Sequence, residues 1–291
     1  MTGLRLDGKD YVIGGRLART MRLRDAITES IADPEFVIRN CRERRIAADI
    51  LQFAYPFEPD RPIRPYHTEL ENLAVIPVST YEHWLARQVH PNTRNKVSKA
   101  RRLGVEVRAE AFTRDVIEGM AGIFNETRVR RGRLYAYFGQ SVESIEREWG
   151  GSDLARSTFL AAYVGSEMIG FIKLVFGDHC ARTSGTVAKV SHRDKAPMNA
   201  LIAQAVQACA ARQVPFLVYG KFEYAPGRED SLTAFKLHNG FERLEYQAYY
   251  APLTLRGGGA LRTGLHHGFR GVLPARVRDS LIRARSWWYS R

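Results

Sequence analysis

Apolar and β-branched runs dominate residues 158–163 (TFLAAY), 168–176 (MIGFIKLVF) and 179–188 (HCARTSGTVA), with Gly165-Ser166-Glu167 and Gly177-Asp178 between them. Short runs of this kind, punctuated by turn residues, predict an antiparallel meander of three strands. Residues 189–195 (KVSHRDK) then form a polar loop carrying Lys189, Arg193 and Lys195. Pro197 suits a first helical turn, and residues 199–212 (NALIAQAVQACAAR) have strong helix formers at most positions. A second strand at 214–219 (VPFLVY), a basic turn, a short helix and a closing strand complete the stretch. This order brings a helix N-terminus, bare backbone amides and cationic side chains to the carboxyl end of a strand, where a phosphate would bind.

The rest of the chain alternates in the same way. Residues 11–23 suit a strand pair or a bulged strand around Gly14-Gly15. Asp33-Pro34 starts a helix to about Arg45 that is expected to bury Phe36, Val37 and Cys41. Strands follow at 49–57 and at 72–78, where Pro77 implies an edge or a strand end. A helix opening at Ser79 or Thr80 carries Trp84 and Leu85, and residues 93–103 (TRNKVSKARRL) form a basic helix stopped by Gly104. After a strand at 105–109, Thr113 begins a helix to about Arg131, with Val116, Met120, Ile123 and Phe124 at core spacing. Its far end gathers Thr127, Arg128, Arg130 and Arg131 ahead of Tyr135, a set that suits an anionic or sugar-like acceptor. The same cations would also complement a helix C-terminus. Another helix covers 142–149, and Gly257-Gly258-Gly259 reads as a linker to a basic C-terminal tail.

Composition narrows the partners. Lys and Arg number 44 against 31 acidic residues, a net +13, which favours a polyanionic partner or marks a merely basic enzyme. Cys41, Cys180 and Cys209 are too few and too scattered to suggest a disulfide framework or a zinc site, so no metal and a reducing cytoplasm are expected. No run reaches the ~18 apolar residues of a membrane span, and the first residues lack the apolar core of a signal peptide. The tail, residues 261–291, combines seven arginines with the stripe Val277, Leu281, Ile282 and the run Trp287-Trp288-Tyr289. It suits contact with the inner face of an anionic membrane, contact with RNA, or packing back on the domain.

The meander, cationic loop, helix, strand and short helix ending in Gly240-Phe241 resemble the acyl-CoA N-acyltransferase (GNAT) fold. Residues 84–107, with Arg94-Asn95-Lys96-Val97-Ser98-Lys99-Ala100-Arg101-Arg102-Leu103-Gly104-Val105, resemble the junction between the two GNAT-like halves of Fem-type peptidoglycan aminoacyltransferases and their acetyltransferase relatives. Phe235-Lys236 is similar to the Phe-Lys pair of the Fem group. The resemblance implies an α/β GNAT fold, a largely antiparallel mixed sheet with flanking helices, preceded by a truncated GNAT-like N-terminal half. It implies an N-terminal half-domain over 1–80, junction helices over 81–104, an acyltransferase domain over 105–255 and a tail over 256–291. The loop at 189–197 departs from the family's pyrophosphate pattern in having no glycine.

On that resemblance, an acyl group, expected to be acetyl from acetyl-CoA, passes to an amine. Amides around Thr183 to Val187 would hold donor and oxyanion. Thr186, Val187, Lys189, Arg193, Lys195 and Asn199 are the expected donor-binding residues. Lys236 is the expected catalytic residue by its match to the Fem pair, with Glu223 as a proton acceptor and Tyr224 as a hydroxyl donor. Two alternatives stay open: an aminoacyl-tRNA-dependent transferase acting on a cell-wall precursor, and a non-catalytic basic binding module on the same scaffold.

Overall fold

The computed structural model describes residues 2–61, 65–130, 133–224 and 231–268. The chain forms two compact units, one from Asn72–Leu244 and the other from the residues before Asn72 together with those after Leu244. These are not the divisions expected after residues 80, 104 and 255. The basic helix of the junction packs on a helix of the larger unit, which keeps 81–104 within it.

In the smaller unit, β1 (Thr2–Leu6), β2 (Lys9–Gly14), β3 (Thr20–Leu23) and β4 (Ile50–Ala54) lie in sheet order, followed by the second half of the last strand, β13 (Glu242–Pro252). Helix α1 (Pro34–Glu43) is capped by Asp33, whose carboxylate accepts the Phe36 N–H at 3.1 Å, with Pro34 in the first turn. Its buried stripe is Val37, Ile38 and Cys41. Phe36, expected inside, is exposed, because the inward face begins one residue later. The three glycines expected as a linker are helical. They lie in α8 (Leu255–Thr263), where Thr254 caps the Gly257 N–H at 3.0 Å. A Cβ on Gly257 would sit 1.9 Å from the Asp49 carbonyl oxygen, so glycine here permits close backbone approach. Ala260 and Leu261 bury the inward face of α8 and offset its low helix propensity. The amphipathic stripe of the tail lies outside the described residues.

The larger unit begins within β5 (His67–Pro77), where Pro77 ends the strand. Then come α2 (Tyr81–His83), continued as a wider π turn over Trp84–Gln88, and the basic helix α3 (Pro91–Arg102). Gly104 follows α3 with φ +75°, a geometry glycine adopts without strain. Next are β6 (Val105–Glu110), α4 (Arg114–Phe124), the two-residue strands β7 (Val129–Arg130) and β8 (Arg133–Leu134), and α5 (Val142–Trp149). The helix expected to reach Arg131 stops at Phe124. Asn125 turns its side chain to the Gln140 carbonyl and the Gly139 N–H, and the chain reverses into the β7–β8 pair.

β9 (Ser157–Val164), β10 (Glu167–Phe176) and β11 (Cys180–Ala188) form the expected meander. Helix α6 (Pro197–Ala211), β12 (Phe216–Val218) and α7 (Ser231–His238) follow. The strand order in this unit is β5-β12-β11-β10-β9-β6, antiparallel except for the parallel pair β12–β11. Alternate residues of β9 feed two cores: Leu160 and Ala162 meet α6, while Phe159 and Ala161 meet α4 and α5. Both faces are covered, which explains why β10 reads as a continuous apolar run rather than an alternating one.

Candidate active site

The meander stays paired along its length, but β11 and β12 do not. Their parallel pairing covers Cys180↔Phe216, Ala181↔Leu217 and Arg182↔Val218 only, and β11 runs on to Ala188 alone on that edge. Register against β10 jumps from Leu174↔Thr183 to Lys173↔Gly185 just beyond, leaving Ser184 as an extra residue. A bulge bends its strand and increases local twist, so it parts β11 from β12. The Lys189 N–H donates to the Ile169 carbonyl at 2.8 Å. By the alternation of an antiparallel ladder, Thr186 and Ala188 turn their backbone groups away from β10, toward the opening.

Lys236 lies beyond β12 on α7 and is fully buried, not the exposed lysine an amphipathic helix would ordinarily carry. Its ammonium donates to the carbonyls of Lys221 and of Phe222, the latter at 3.2 Å. It stands 5.7 Å from the centre of the Tyr219 ring and 5.1 Å from that of Tyr224. The next residue after that anchored pair is Glu223. Its N–H donates to Asn72 Oδ1 at 3.0 Å, and its half-buried carboxylate lies 3.5 Å from Arg243. Tyr224 is exposed. All three expected catalytic residues therefore meet around one turn.

The donor loop differs from the expectation of bare amides. The Val190 and Ser191 N–H groups donate to the Glu126 carboxylate at 2.6 and 2.9 Å, and the Ser191 hydroxyl donates to it at 2.6 Å. Burial works against that carboxylate's charge, but these bonds and Arg130 outweigh it and lower the Glu126 pKa. Further along, the N–H groups of Arg193, Lys195 and Ala196 donate to Val190, His192 and Arg193 carbonyls. Pro197 has no N–H, and Asn199 and Ala200 donate back to Ala196. Few amides remain to cradle a diphosphate. Lys189 is paired with Glu167 at 2.6 Å. Asn199 is buried and donates to Asn239 Oδ1 at 3.0 Å, so its side chain faces inward. Arg193 is exposed and Lys195 half-buried, and their turn touches α3, whose Lys96, Lys99, Arg101 and Arg102 are exposed.

The expected acceptor set lies against the other edge of the site. Arg130 donates to the Ala188 carbonyl at 3.0 Å and the Ile123 carbonyl at 2.8 Å, and its guanidinium covers the Tyr135 ring at 4.3 Å. Tyr135 packs with Phe124 and Tyr137, and Trp149 joins the same aromatic cluster. Burial pushes the Tyr135 hydroxyl up to about 12 despite the pull of Arg130. The Tyr135 hydroxyl, Thr127 Oγ1 and Trp149 Nε1 are buried with no partner among the described residues. Buried polar atoms are nearly always satisfied, so these three are exceptions within the packed cluster. Arg128 is exposed, and Arg131 lies outside the described residues.

Glu126 and Trp149 were not candidates from sequence. A carboxylate in an Arg-rich run gives no hint that it will hold a loop 65 residues away. Trp149 left a faint trace: Gly185 interrupts a strand, and a Cβ there would fall 2.2 Å from the Trp149 ring.

No protein-family model matches the chain, and no curated protein matches it by sequence. Solved structures do match. FemX superposes with a TM-score of 0.61 at 10% identity, covering 89% of this chain and 88% of that one. A C-terminal domain (DUF2156) assigned to a lysylphosphatidylglycerol synthetase of Agrobacterium fabrum gives 0.58 at 13% identity, over 94% and 91%. L-PGS from Bacillus licheniformis gives 0.54 at 12% identity, over 90% and 87%. The chain therefore has the Fem-like, GNAT-type fold that its sequence resembles. No helix among the described residues is long and apolar enough to cross a membrane.

Proposed function

We propose that this chain is an acyltransferase in which an amine attacks an acyl ester or thioester lying between β11 and β12. The parting of those strands after Arg182 and Val218 carries the reading. The amine nitrogen bonds to the acyl carbon, and the carbonyl pair moves onto oxygen, where the N–H groups of Thr186 and Ala188 donate to it. Glu223 accepts the amine proton directly or through water. Collapse re-forms the carbonyl and expels the donor's oxygen or sulfur, which takes up a proton. Lys236 fixes the turn that presents Glu223 and Tyr224 and contributes positive charge behind it. Arg130, Tyr135 and Thr127 position the acceptor.

For the donor, the loop favours a carrier gripped by side chains over a diphosphate cradled by backbone. An aminoacyl-tRNA fits this best: its phosphates would meet Arg193, Lys195 and the exposed cations of α3. Acyl-CoA is the second reading, favoured by the strand–loop–helix order itself. Incubating the full chain with an amine panel and either labelled aminoacyl-tRNA or labelled acetyl-CoA separates them. Label moving to an amine from tRNA, with a loss of at least tenfold in the Lys99→Glu/Arg102→Glu double variant, is expected. Transfer from acetyl-CoA alone would reassign the donor, and transfer from neither would leave a binding module.

A further inference from the structure

The smaller unit holds a cluster that the acyl-transfer reading does not use. His67 and Glu69 are two residues apart on β5 and so share a face. His266 and His267 come from the 3-10 turn Leu265–His267, which follows α8 after Gly264 takes a left-handed conformation. The Nε2 atoms of His266, His267 and His67 lie 2.7, 2.9 and 3.3 Å from the Glu69 carboxylate. Ligand atoms of His67, Glu69 and His266 all lie within 4.8 Å of one another. Around a tetrahedral ion with bonds of about 2.0–2.1 Å, ligand atoms stand roughly 3.3 Å apart, so small side-chain adjustments would close this set on one ion.

The surroundings also fit. The His266 side chain is 3% exposed, and its other nitrogen, Nδ1, is 3.4 Å from the Ala260 carbonyl. A metal-binding imidazole ordinarily gives its second N–H to such an oxygen, which sets the tautomer and leaves Nε2 with a lone pair. In that tautomer the Nε2 lone pair would face a carboxylate oxygen 2.7 Å away, an arrangement that a shared cation relieves. The His266 and His267 rings are only 4.0 Å apart, and Tyr250 meets His266 edge-on at 5.2 Å.

We propose that His67, Glu69, His266 and His267 form a binding site for one zinc-class divalent ion, fastening the turn after α8 to β5. Three imidazoles and one carboxylate suit zinc or a late first-row metal, not the all-oxygen shells of magnesium and calcium. The three scattered cysteines give no sign of this site, and no metal was expected from them. Here a His-x-Glu pair and a His-His pair are brought together from 197 positions apart.

The test uses the full chain, stripped with chelator and titrated with Zn2+ or with Co2+, whose visible spectrum reports the ligand set. Binding of one equivalent at micromolar metal, a thermal midpoint several degrees higher with Zn2+, and a Co2+ spectrum of low coordination number are expected. Glu69→Gln and His266→Ala should weaken binding at least 100-fold. His67→Gln and His267→Gln, at more exposed positions, should weaken it about tenfold while the apo-protein's circular dichroism stays unchanged. If either buried-site variant fails to fold, the two exposed variants decide. Sub-stoichiometric binding, or affinity unchanged in both exposed variants, overturns the site.

Discussion

The two sides of the opening between β11 and β12 are built differently. Beside β11, Arg130 and Glu126 are committed to backbone groups, and an aromatic cluster of Phe124, Tyr135, Tyr137 and Trp149 packs beneath them. Groups so held are suited to fix a molecule in place. Beyond β12, one buried ammonium anchors the carbonyls of Lys221 and Phe222, and the following Glu223 and Tyr224 stand half-buried and exposed. Groups with access to solvent can exchange protons and shift as charge develops. On the proposed acyl-transfer reading, recognition falls to the β11 side and proton handling to the β12 side, a division that substitutions on each side should expose.

The largest effect is expected at Lys236. Lys236→Ala removes a fully buried side chain and leaves two carbonyls without their donor, costing about 2–5 kcal/mol of stability. Turnover should fall at least 100-fold. Lys236→Met keeps most of the volume but offers no donor to the two carbonyls, so it should recover only the packing part of the stability in a urea titration, without recovering turnover. If Lys236→Met restores turnover as well, the charge has no part in the chemistry and the two sides do not differ as argued. Glu223→Gln should fall nearly as far in turnover, with KM and the urea midpoint close to unchanged.

Next in size is Gly185→Val, which tests the β11 side. A Cβ at this position meets the Trp149 ring at 2.2 Å, and the flanking core leaves the indole little room. Overpacking of this sort costs about 1–3 kcal/mol, read as a lower urea midpoint. Displacing Trp149 should raise the acceptor KM about tenfold with a smaller change in kcat. A kcat loss at constant KM would instead place proton handling on this side.

Much of this frame was legible in the chain. Turn residues at Gly165-Ser166 and Gly177-Asp178 marked the meander, and Pro197 and Gly104 marked a helix start and a helix stop, because these residues act through local backbone geometry. Lys236 could be singled out by its Phe-Lys match, although its burial could not. What stayed hidden depends on long-range contact. The use of loop amides by Glu126 is set by a partner 64 residues away. Helical glycines at 257–259 are explained only by the Asp49 backbone they approach. Phe36 fell outside the stripe by one position, a rotation of about 100° in a 3.6-residue helix.

Glu126 offers a gentler probe of the β11 side. Its lowered pKa means the loop contact is fully present above the ordinary carboxylate range and is lost as pH falls through the lowered value. Glu126→Gln, which keeps one acceptor oxygen, should loosen the loop without unfolding the unit. The readout is faster amide hydrogen exchange at Val190 and Ser191, by roughly tenfold, with core strands unaffected. Freed amides should also strengthen any affinity for acyl-CoA. Tighter CoA binding in this variant would show that the carboxylate occupies the place of a diphosphate.

The smallest effect is expected at Tyr135. Its hydroxyl is pushed up to about 12 by burial, so it stays protonated throughout the working range and keeps its O–H as a donor. Since the folded value lies above the unfolded value of about 10, its contribution to stability is present below pH 10 and fades as pH rises toward 12. Tyr135→Phe removes one buried hydroxyl that has no partner among the described residues, so the free protein should lose little stability or gain a few tenths of a kcal/mol. The acceptor KM should rise three- to tenfold, and the alkaline limb of the pH–rate profile should stay where it was. A limb that moves in this variant would make Tyr135 a proton-transfer group, and the assignment of proton handling to the β12 side alone would fail.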